Sequence, residues 1–104
     1  MIITTIDTIP GKTIKEVLGI AKGQVVQSKH MGSDFMAGLK TMVGGEIKGY
    51  TDMLNKARTV ATDRMIEEAE KLGADAVVGV RYGSSSVMAG ASEMLCYGTA
   101  VKLK

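Results

Sequence analysis

The sequence predicts an α+β fold in which one long helix lies on an antiparallel sheet, and three observations carry that expectation. Apolar residues recur at spacings of three or four from Glu46 to Leu72, side chains alternate from Glu93 to Leu103, and short β-branched runs fill the first thirty residues. At 104 residues, 45% apolar and 23% charged, the chain has the length and composition of one ordinary domain covering 1–104. A domain this small buries only roughly 60–70% of the surface its unfolded form exposes. It has four aromatic rings to fill a core, Phe35, Tyr50, Tyr82 and Tyr97, so self-association would add stability.

The first elements are extra short strands. Ile2, Ile3 and Ile6 form a run that ends at the turn-prone Asp7-Thr8-Ile9-Pro10-Gly11. From Thr13 to Ala21 the pattern alternates, with Ile14, Glu16, Leu18 and Ile20 on one side and Lys15, Val17, Gly19 and Ala21 on the other. Lys22-Gly23 then reads as a tight connection into Gln24-Val25-Val26-Gln27, which makes a hairpin. Ser33 suits the N-cap of a short helix over Asp34 to Val43, with Phe35, Leu39 and Met42 on one face and Gly44-Gly45 as its stop.

The strongest signal is the stripe Ile47, Tyr50, Leu54, Ala57, Ala61, Met65, Ala69 and Leu72, which predicts one amphipathic helix of about 40 Å. Three alanines on the stripe allow a neighbour to approach closely. Lys48, Asp52, Lys56, Arg58, Asp63, Glu67 and Lys71 occupy the other side, with i, i+4 pairs Asp52/Lys56 and Glu67/Lys71, and Gly73 ends the helix.

A β-hairpin should follow, with a Val-rich strand from Ala74 to Tyr82, a loop from Gly83 through the three serines to Ala91, and a return over Glu93 to Leu103. In the return strand Leu95, Tyr97, Thr99, Val101 and Leu103 share one face, while Met94, Cys96, Gly98 and Ala100 share the other. Neither face is polar before Lys102. A strand apolar on both sides is normally covered on both, and one helix covers only one face, so a second copy of the chain is expected against the other.

Composition excludes several classes of function. Thirteen basic and eleven acidic residues are interspersed, with no adjacent basic pair, so no nucleic-acid partner is expected. One cysteine forms no internal disulfide and fits a reduced, cytoplasmic protein, and no apolar run reaches membrane-spanning length. Gly11-Lys12-Thr13 resembles the end of a phosphate-binding loop, but Ile6 stands where the first glycine is required. His30 is the only histidine, so any Cys-His or Ser-His mechanism must use it, and no nucleophile-elbow motif accompanies it. No catalytic residues are expected. Asp63, Glu67 and Glu70 form a solvated acidic side rather than a cation site.

Eight methionines and the lone Cys96 leave one candidate chemistry, soft sulfur coordination of Cu(I) or another thiophilic metal. Cys96 and Met94 lie on one strand face, Met88 stands in the preceding hairpin loop, and His30 is the available imidazole. One chain holds too few ligands, but in a closed ring each residue recurs once per subunit, and Cys96, Met94 or His30 near the axis would become a ring of identical donors. The competing chemistry is a small metabolite held between subunits by His30, Arg81 and Tyr82, with the Arg81 guanidinium on a carboxylate or phosphate.

The whole chain resembles the YbjQ family of small bacterial proteins described as heavy-metal-binding. The resemblance rests on the Thr8-Ile9-Pro10-Gly11 turn and on the Val43-Gly44-Gly45 break before a long helix containing Lys56-Ala57-Arg58. It continues through Leu72-Gly73-Ala74-Asp75-Ala76-Val77-Val78-Gly79-Val80 to the ending Tyr97-Gly98-Thr99-Ala100-Val101. It implies a core similar to the dodecin subunit, β-α-β-β, assembled as a homopentameric ring. It carries over no catalytic residue.

Overall fold

The computed structural model describes residues 1–28 and 48–104. Strand β1 is Ile2–Ile3, β2 Ile14–Ser28, helix α1 Lys48–Lys71, β3 Ala76–Met88 and β4 Ala91–Leu103. They build one helix on a four-stranded sheet ordered β1-β3-β4-β2. The sheet is mixed rather than wholly antiparallel, because β1 runs parallel to β3 while β3 and β2 both run antiparallel to β4. The expected short helix over Asp34 to Val43, the Gly44-Gly45 stop and His30 lie outside the described residues.

Helix α1 forms where the apolar stripe predicts it. Ala57, Ala61, Met65 and Ala69 are its buried positions, and they meet mainly β2 and then β4. At its end Ala74 N donates to Ala69 O at 3.0 Å and Gly73 N to Glu70 O at 2.9 Å, with Gly73 at φ +80°. This is a Schellman stop, which satisfies the last carbonyls and requires a left-handed residue at Gly73. Lys71 pairs with Glu68 at 3.6 Å rather than with Glu67.

Lys22-Gly23 is not a turn. Strand β2 runs unbroken through it, with Lys22 opposite Tyr97 and Gly23 opposite Cys96. Glycine is needed there because the helix crosses so closely that a Cβ would collide with the Ala61 carbonyl oxygen and Met65 N, and would stand 2.8 Å from Arg64 Cβ. The simple alternation expected for Thr13 to Ala21 also fails. Register shifts between Ile14 and Glu16 and between Val17 and Gly19 insert extra residues, and each such bulge switches the faces of the residues beyond it. Val17 and Ile20 therefore share the face turned away from the helix, opposite Val101 and Thr99.

The serines are strand rather than loop. Ser84, Ser85 and Ser86 pair with Met94, Glu93 and Ser92, and the turn shrinks to Ala89-Gly90 with Gly90 at φ +76°. A strand open to water on one side tolerates small polar residues, which the serine run alone could not distinguish from a loop.

The helix-side core joins the helix alanines and Met65 to Ala21, Val77, Val80, Met94, Cys96 and Ala100. A smaller cluster on the opposite face gathers Ala76, Val78 and Val101 with Ile9, Ile14 and Leu103. The segment between β1 and β2 supplies its lid, through a turn in which Lys12 N donates to Ile9 O across Pro10 and the positive-φ Gly11.

Candidate functional site

Cys96 is the residue on which the soft-metal expectation converges, and the fold seals it between sheet and helix. It sits in β4 opposite Gly23 on one side and Tyr82 on the other, on the face that α1 covers. Its side chain is fully buried. The missing side chain at Gly23 lets the helix descend to this level, bringing Met65 over the thiol. Cys96 Sγ donates to Met65 Sδ at 3.4 Å. Two soft sulfurs from residues 31 positions apart are thus in direct contact.

Two hydroxyls border the pair. Thr62 Oγ1 and Tyr82 OH are 2.8 Å apart, joining the helix to β3, and Thr62 Oγ1 also donates to Arg58 O at 2.7 Å. Burial pushes the Cys96 thiol above its ordinary value of 9.0, opposed by hydrogen bonding from Tyr82 and Thr62. A thiol so held is protonated at neutral pH and is not an activated nucleophile.

Met94 is buried on the same face two residues before Cys96. Met88 stands exposed at the hairpin tip. His30 lies outside the described residues, so the structure unites Cys96 and Met94 on one sheet face and leaves the third expected ligand unplaced. Met65, which sequence periodicity assigns to the core stripe, is the sulfur that touches Cys96. The sequence places both residues on buried faces, but only the crossing at Gly23 selects which helical turn lies over Cys96. Among the described residues no three His, Cys, Asp or Glu side chains gather as a metal cluster. Among the described residues the donors near Cys96 are thiol and thioether, which suit a soft ion of low coordination number.

Of the rival metabolite residues, His30 lies outside the described residues, and Arg81 and Tyr82 are engaged in the fold. Arg81 Nη1 donates to Thr5 O and Val80 O, both at 2.9 Å, tying the N-terminal segment to β3. Tyr82 is committed to Thr62. A shallow cavity of about 350 Å³ lies elsewhere, between β2 and α1, lined by Lys22, Gln24, Arg64, Glu67, Glu68 and Lys71 among others. Its charges are mixed, and Arg64 donates into it to Gln24 O at 2.7 Å.

Among the described residues no helix is long and apolar enough to cross a membrane.

A family model described as "Putative heavy-metal-binding", that of YbjQ, matches residues 1–104. Curated relatives share about three-fifths of their residues with this chain. A UPF0145 protein of Thermotoga petrophila is 62% identical over 104 residues, covering 100% of this chain and 98% of that one. One from Thermosipho africanus is 64% identical over 104 residues, covering 100% and 96%. One from Vibrio parahaemolyticus is 61% identical over 103 residues, covering 99% and 98%. Among solved structures, a protein of unknown function from Pediococcus pentosaceus, assigned to the DUF74 family, aligns with a TM-score of 0.63 and 18% identity, covering 100% of this chain and 98% of that one. At that identity the likeness concerns the fold.

Proposed function

Because the chain belongs to the YbjQ family, we propose that it is a self-assembling binding module, a homo-oligomeric ring built on a dodecin-like β2-α1-β3-β4 core. The observation that carries this reading is the face of the sheet away from the helix. On it Ile20 is 75% exposed, Val17 64%, Val26 57% and Tyr97 41%.

Native mass spectrometry at micromolar concentration tests the reading. A single multiple of the 11.0 kDa chain, five in the form the resemblance implies, is the expected result, and a monodisperse monomer overturns it.

The Cys96–Met65 contact favours a second, molecular activity, capture of a soft monovalent ion such as Cu(I). Cys96 and Met65 would hold the ion, with Met94 at hand on the same face. The ion displaces the thiol proton, so capture weakens as pH falls. Anaerobic Cu(I) titration should saturate at an integer number per assembly and vanish in Cys96→Ala. Unchanged stoichiometry in that variant removes Cys96 from the site.

A further inference from the structure

Among the described residues the sheet has two borders with no further strand, at the same height. On one side β2 has no outer neighbour strand along its length among those residues. On the other, the N-terminal segment covers β3 only as far as Val80. Ile2 and Ile3 pair with Ala76 and Val77, Thr4 N donates to Val77 O, Gly79 N to Ile6 O and Val80 N to Thr4 O. From Arg81 to Met88 no strand among the described residues lies on the outer edge of β3.

Register aligns the two borders. Lys22 and Arg81 are both opposite Tyr97, Val26 and Ser85 both opposite Glu93, and Ser28 and Met88 both opposite Ala91. Each stretch spans about 25 Å with no strand beyond it among the described residues, and on the β2 side Arg64 Nη1 donates to Gln24 O at 2.7 Å, a side-chain bond that a pairing strand would displace or share. Neither contains proline, the residue that most simply blocks an edge. Because β2 and β3 each run antiparallel to β4, they point the same way, and copies related by rotation about an axis along the strands would bring them together as a parallel pair.

We propose that the copies join head to tail, the 22–28 edge of β2 in one protomer pairing with the 81–88 edge of β3 in the next. This rests on the self-assembly reading and specifies its joint. One such contact per protomer satisfies both borders, and a heterologous contact whose rotation closes yields a ring without loose ends. An isologous β2–β2 joint would leave the β3 border of every copy unpaired.

The test uses the full-length protein with Val26→Cys and Ser85→Cys, both exposed positions facing away from the helix. A short bismaleimide tolerates a stagger of a residue or two, and the parent, whose Cys96 is buried, controls for background. Mixing the two single variants should give a covalent dimer that neither gives alone. The double variant should give a ladder ending at the copy number found by native mass spectrometry. Dimers formed by Val26→Cys alone, with no longer products, mean an isologous joint and overturn the proposal. Absence of cross-links in a protein whose native mass shows assembly also overturns it while leaving self-assembly standing. A monomeric parent overturns both.

Discussion

The two faces of the sheet are built on opposite rules. Toward the helix, Ala21, Gly23, Cys96 and Ala100 meet Ala57, Ala61 and Ala69, so small side chains bring backbone against backbone, and Met65 fills the one larger gap. Away from the helix, Val17, Ile20, Val26 and Tyr97 are larger and stand in water, apart from the end that Ile9 and Leu103 close over. Apolar content is therefore a poor guide to where this protomer's own stability lies. The helix side is optimised for closeness, and the other side holds apolar area that the protomer does not use.

Substitutions on the two faces put that contrast at risk to different degrees. The largest effect belongs to Gly23→Val. A side chain there collides with helix backbone, which neither element can vacate, and a loss of about 5 kcal/mol, comparable to the whole stability of a small domain, is expected by urea titration. A folded variant of near-parental midpoint would mean the helix is not held against β2. Next comes Met65→Ala, which empties a fully buried site and should cost about 3 kcal/mol. A cost under about 1 kcal/mol would show that the helix face collapses easily, and that closeness is not its organising rule.

A third outcome concerns pH. Burial favours the neutral Cys96 thiol in the folded state, so the folded protein holds that proton more tightly than the unfolded chain. The resulting stability is complete below the ordinary value of 9.0 and is lost as pH rises past it through the raised folded value. Denaturation midpoints should decline above about pH 9 more steeply in the parent than in Cys96→Ala; parallel curves would count against a sealed thiol. The smallest effect on folding should come from Ile20→Gln. On an exposed position this changes monomer stability by no more than about 0.5 kcal/mol, yet it should weaken assembly measured by light scattering. A large loss of monomer stability would erase the distinction between the faces.

Much of the helix side was legible in the sequence, because three-and-four spacing from Leu54 to Ala69 needs no tertiary information, and the alternation of β4 assigns Cys96 and Met94 to one face unaided. What sequence could not resolve is what glycine and serine are for. Gly23 carries the same local signal whether it bends the chain or admits a neighbour, and the tertiary crossing decides. Ser84 to Ser86 fit a loop or a wetted strand equally well, and pairing with β4 decides. The bulges in β2 have no marker in side-chain alternation, since one added residue reverses the faces without changing composition. The Cys96–Met65 contact depends on the crossing at Gly23 and so was not legible in the sequence. His30, Asp34 and the glycine pair before the long helix lie outside the described residues.

The bare peptide at Gly23 acts as a fulcrum. Where backbone rests on backbone the helix can come no closer, so changes of bulk on either side, at Ala57 toward one end and Ala69 toward the other, are expressed as tilt about that point. Drift that enlarges one of these and trims its counterpart would swing the helix like a seesaw while leaving the pivot in place. Divergent sequences could in this way reach a range of helix angles on a sheet that hardly changes.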